Sequence, residues 1–143
     1  MKVSNAILMP EFERLLNNGH TVEFMPQGTS MRPFIEGGHD SVILGRNKNP
    51  KVGDIVLAKT NQQYVLHRIV KINNNDIILQ GDGNLQGYEY CTKSDIIGKV
   101  IIIKNKNGKR KCLTKGIIWR HLPTCFKKLA LKIYRKLLQW KKI

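Results

Sequence analysis

The chain has 143 residues, enough for one domain with a real core and too few for two ordinary ones. Its apolar (41%) and charged (24%) shares are those of a globular protein and exclude a disordered one. The net charge of +15 is carried by one end: residues 1–95 hold ten Lys and Arg against ten Asp and Glu, whereas residues 96–143 hold fifteen basic residues and no acid. One neutral and one basic functional part are implied, and a single domain over residues 1–111 followed by a basic amphipathic segment over 112–143 is expected. Cys91, Cys112 and Cys125 form an odd set without a C-x-x-C pair, which argues against a disulfide framework and a structural zinc, and no metal or cofactor is expected. Residues 1–19 lack the basic start and apolar run of a secretory signal, and no apolar run exceeds four residues. A cytoplasmic protein, or one peripheral on the cytoplasmic face of a membrane, is the expectation.

In chain order, Met9–Asn18 places Phe12, Leu15 and Leu16 at helical spacing and is closed by Gly19, so a short first helix is predicted. Six strands follow, rich in Val and Ile and separated by Gly, Asn and Pro: Thr21–Met25, Ser41–Arg46, Asp54–Thr60, Tyr64–Ile72, Asp76–Gln80 and Asp95–Lys104. Asn61–Gln63 and Asn73–Asn75 read as hairpin turns. The fold class is mainly β, a sandwich or partly open barrel, and the polar basic stretch 105–111 closes it. From Thr124 the period changes. Phe126, Leu129, Ala130, Ile133, Leu137 and Trp140 share one helical face, with Lys127, Lys128, Lys132, Arg135 and Lys136 opposite, which predicts a basic amphipathic C-terminal helix.

Three short segments carry candidate chemistry. Gly28-Thr29-Ser30-Met31-Arg32-Pro33 puts a serine behind a glycine that permits a tight turn, so that a hydroxyl and backbone N–H groups can face one substrate oxygen. His67 lies inside the alternating strand Val65–Val70, and imidazole is the side chain with the right pKa to activate a serine at neutral pH. Gly81-Asp82-Gly83-Asn84 follows the next strand and can return a carboxylate towards His67. Each also has a bland explanation as a turn former or an exposed strand residue.

Together, the order G-T-S-M-R-P, V-G-D-I-V-L-A, L-H-R-I-V and Q-G-D-G-N resembles the signal peptidase and LexA-type serine peptidase family over roughly Gly28 to Val100. That resemblance implies a signal-peptidase-like, LexA-like β-barrel-type domain with Ser30 as nucleophile and Met31 and Pro33 shaping the substrate cleft. Val52–Val56 becomes its structural strand. His67-Arg68 resembles the branch that uses a histidine base, as in endoplasmic-reticulum and archaeal signal peptidases, rather than the lysine of bacterial relatives. Asp82 then becomes the acid that orients His67. The position of a second acid is Tyr88, followed by Glu89, and whether Glu89 or Asp95 assists is left open. The position two before the nucleophile, often a hydroxyl in the family, is Gly28. The oxyanion hole then falls to backbone N–H groups around Ser30 with the Thr29 hydroxyl, and losing one donor typically costs about 10² to 10³ in rate.

The basic C-terminal helix, residues 124–143, suits an anionic membrane surface, with packing on the β domain as the bland alternative. Nucleic acid is disfavoured, since no helix-turn-helix precedes the catalytic boxes. The expected function is a serine endopeptidase that cleaves a leader or precursor peptide near a membrane. A catalytically inactive domain that binds peptide or lipid, and a self-cleaving regulator, are the alternatives. Arg32 and Arg68 receive no catalytic role, and His20, His39 and His121 are taken as ordinary polar residues.

Overall fold

The computed structural model describes residues 8–61, 63–111 and 119–141. Helix α1 (Leu8–Asn17) buries Met9 and Leu16 and packs Phe12 and Leu15 against the same core. Its end is fixed by Gly19 in the left-handed region at φ 84°, with Gly19 N–H donating to Leu16 O and His20 N–H to Leu15 O, a Schellman closure.

Eight strands follow: β1 (Val22–Phe24), β2 (Ser41–Gly45), β3 (Ile55–Thr60), β4 (Gln63–Asn73), β5 (Asp76–Gln80), β6 (Glu89–Thr92), β7 (Ile96–Lys104) and β8 (Arg110–Lys111). They form one antiparallel sheet in the order β1-β2-β7-β3-β4-β5-β6, with β8 added on β7. The sheet is the open half-barrel of the expected fold class rather than a sandwich. Central β3 shows why it curls: Ile55 and Leu57 join the core under α1, while Val56 and Ala58 join a second core with Val65, Ile69, Ile77 and Leu79. Both faces of β3 are dry, so the sheet must wrap to cover them.

The six expected strands are present, with ends shifted by a residue or a few, and two more were missed. Strand β6 is a four-residue edge strand in which Cys91 is buried and Tyr90 is exposed, too short for an alternating apolar signal. Strand β8 is two basic residues that pair only because the 105–109 turn returns them to β7. The 73–75 turn holds Asn74 at φ 55°; of the 61–63 turn, Asn61 sits at φ 41° and Gln62 lies outside the described residues.

Helix α2 (Thr124–Lys141) begins where Pro123 and Thr124 predicted. It neither stands apart nor packs its apolar face inward. Its half-buried side, with Ala130, Leu131, Tyr134 and Leu138, faces the domain, and the Tyr134 hydroxyl donates to Glu36 Oε2 at 3.2 Å. Phe126, Leu129, Ile133, Leu137 and Trp140 remain exposed as one stripe, from 51% at Ile133 to 76% at Trp140. Among the described residues, no helix is long and apolar enough to cross a membrane.

Candidate active site

Ser30 lies in the long connection between β1 and β2, a segment shaped by its anchors rather than by regular structure. Gly28 adopts φ 97°, a conformation that a side chain would strain, and so turns the chain into the serine. Met31 and Ile35 are fully buried in the core beneath α1, which pins the turn from below. Met31 therefore does not line a cleft as expected; it anchors the Ser30 turn. Pro33, after a cis peptide bond, is half-buried, and Thr29 is exposed beside Ser30. Arg32 makes two hydrogen bonds to Glu36, at 2.8 and 2.7 Å, and lies 6.0 Å from the Tyr134 ring centroid. Burial pushes the Glu36 carboxyl up, but Arg32 and Tyr134 outweigh it and hold it below its ordinary range.

His67 is brought to Ser30 by register. Strand β4 sits between β3 and β5, and its successive residues point to opposite faces, so His67 and Arg68 are both buried but project in opposite directions. His67 Nε2 lies 3.0 Å from Ser30 Oγ. Its other nitrogen, Nδ1, lies 2.5 Å from Glu89 Oε2 on β6, two strands away.

Asp82, expected to orient His67, does something else. Strand β5 ends at Gln80 opposite Arg68, so the chain leaving it passes the Arg68 face of β4. There the Asp82 carboxylate accepts from Arg68 Nε and Nη2, at 2.8 and 2.7 Å. Arg68 also donates to Gly53 O at 2.8 Å, at the turn that opens the Val52–Val56 box, and stands 5.8 Å from the Phe34 ring centroid. Burial pushes the Asp82 carboxyl up, against the opposing pull of Arg68. Trp119 completes the cluster, donating its indole N–H to Asp82 O at 2.9 Å and meeting Phe34 edge-on. Asp95 is also structural: it accepts from Thr92 N and Oγ1 and caps the turn Lys93–Asp95.

The Asp82 cluster matters to Ser30 because it holds the flanking glycines. Gly83 N–H donates to Ser30 O at 2.7 Å. A Cβ on Gly81 would lie 2.4 Å from Ser30 O and 3.1 Å from both Ser30 Cβ and His67 Nε2. Gly81→Ala should therefore force Ser30 and His67 apart and lower kcat/KM by about 10²-fold or more, since misplacing reacting groups by an ångström costs that much. A Gly81→Ala variant that folds and works at the wild-type rate would contradict this geometry.

Ser30, His67 and Glu89 thus form one line of hydrogen bonds, from hydroxyl to imidazole to carboxylate. A family model described as Peptidase S24-like matches residues 9–101, about two thirds of the chain. The chain belongs to that family. No curated protein matches it. In this S24-like domain the Glu89 carboxylate can only accept, so Nδ1 carries the proton and the Nε2 lone pair faces the Ser30 hydroxyl. Burial is the largest of the effects that lower the pKa of His67 to about 4, against the upward pull of the Glu89 charge, so the ring is neutral at pH 7 and able to take a proton. Among the described residues no cluster of metal-ligating side chains occurs, and the Cys91 thiol is pushed up to about 11 by burial, far from a reactive thiolate.

Proposed function

We propose that the chain is a serine endopeptidase of the Ser–His type that cleaves a leader or precursor peptide at an anionic membrane surface. The line from Ser30 through His67 to Glu89 carries the catalytic part. Ser30 Oγ attacks the scissile carbonyl carbon as its proton passes to His67 Nε2. The C–N bond then breaks as Nε2 returns that proton to the leaving amine, and water repeats the sequence on the acyl-enzyme. Glu89 holds the ring and stabilises its cation. Backbone N–H groups of the Gly28–Met31 turn, with the Thr29 hydroxyl beside them, are the oxyanion donors assigned here. A histidine at the base position supports the endoplasmic-reticulum and archaeal type of signal peptidase chemistry over the lysine type.

Labelling by a serine-directed fluorophosphonate tests this and its pH dependence together. The base is active when neutral, so a pKa lowered from 6.5 to about 4 moves the acid limb downward. Labelling should stay level from pH 8 to below pH 6, fall near pH 4, and vanish in Ser30→Ala. A limb at the ordinary histidine pKa, or labelling that survives Ser30→Ala, would count against the base or the nucleophile.

The exposed stripe of α2 supports the membrane part. Five large apolar side chains in water are costly, and Lys128, Lys132 and Lys136 border them on a helix without a single acid. The full chain should cosediment with vesicles containing phosphatidylglycerol and remain in solution with pure phosphatidylcholine. Leu129→Glu with Ile133→Glu should release it. Wild-type protein that ignores the anionic vesicles would remove the membrane from the proposal.

A further inference from the structure

A cavity of about 420 Å³ opens between the Ser30 turn and α2. Thr29, next to the nucleophile, and Gly83, hydrogen-bonded to Ser30 O, form its floor. Lys128, Lys132 and Arg135, spaced by four and three residues on one side of α2, form its far wall, with Leu85 and Leu131 as apolar patches. Arg32 also borders it but is already matched to Glu36. The lining contains no carboxylate, and among the described residues Lys128, Lys132 and Arg135 form no ion pair. Like charges at this helical spacing oppose helix formation, so the cluster is not explained by the stability of α2.

We infer that this cavity is a specificity subsite for acidic side chains of the substrate, close to the bond that is cut. The inference rests on the peptidase reading and adds the substrate class: a peptide with Asp or Glu near the cleavage site. Volume, position and charge all favour it. The space admits more than one side chain, its floor is the nucleophile's own turn, and the three unmatched cations converge on it from one helix. A carboxylate entering there meets fixed positive charge, and its methylenes meet Leu85 and Leu131.

The test uses the full chain and short alanine-rich peptides bearing Glu, Gln or Lys. Fluorescein-labelled peptides are titrated into the Ser30→Ala protein, and the unlabelled peptides are given to wild type for cleavage. The Glu peptide should bind at least tenfold more tightly than the Gln peptide, and the Lys peptide more weakly still. Lys132→Glu with Arg135→Glu should abolish that order. Lys106→Glu with Lys109→Glu, an equal charge change on the 105–109 turn outside the cavity, should preserve most of it. Equal binding of Glu and Gln peptides, or equal loss in both double variants, would overturn the subsite. So would vesicle binding that depends on Lys132 and Arg135 without any peptide preference, since the cations would then serve lipid headgroups. Acid preference in binding without cleavage by wild type would leave the subsite standing and remove the peptidase reading. Cleavage indifferent to Glu or Gln would do the reverse.

Discussion

Ser30→Ala and His67→Ala are each expected to reduce peptide cleavage by about 10⁵-fold or more, to the background left by binding and oxyanion contacts alone. The two should not differ much, nor add, because the proposed nucleophile and base would act as one unit across 3.0 Å. Their effects on folding should differ. Ser30 is a small half-buried side chain in a turn, so its loss leaves stability near wild type. The His67 ring is 2% exposed within the sheet, and its removal leaves a void and an unpaired Glu89, so a lower melting temperature should accompany the lost activity. Assays well below that temperature separate the causes. Substantial cleavage by either folded variant would end the assignment.

The second large contrast lies between the two acids. Glu89→Gln keeps the shape of the side chain but no longer enforces the Nδ1–H tautomer or stabilises the imidazolium, so kcat/KM should fall by about 10² to 10⁴ with stability little changed. Asp82→Ala should act first on stability, with any loss of activity following from the loosened Ser30 turn. It strands the 2% exposed Arg68 guanidinium without its carboxylate, a loss of about 3–5 kcal/mol. That is a large share of the roughly 5–15 kcal/mol that holds a domain together. Urea unfolding beside kcat/KM measurements resolves the pair. If Asp82 were the orienting acid, its variant would be stable and inactive, and Glu89→Gln nearly silent.

Much of the fold could be read from the sequence because its signals were local: Val- and Ile-rich runs between turn residues for the six expected strands, Gly19 for the end of α1, and period 3.6 for α2. The Ser30 and His67 boxes were legible for the same reason, each being a short run with its own pattern. Partner choice was not. Consecutive residues on β4 face opposite ways, and only the register of β5 shows that Asp82 leaves on the Arg68 side. Glu89 stood out only as a displaced acid, since β6 is too short and too exposed to announce itself as a strand. The burial of Met31 was equally hidden, because a turn gives no periodicity from which to infer its inward side.

Edge strand β6 contributes little to the core, yet it supplies the carboxylate that meets His67, the proposed base. Edges fray at lower cost than the sheet centre, where β3 and β4 are dry on both faces. Peeling β6 from β5 would disconnect Glu89 and idle the imidazole while the rest of the half-barrel stayed folded. On the proposed reading, catalytic competence would then be lost before the fold is.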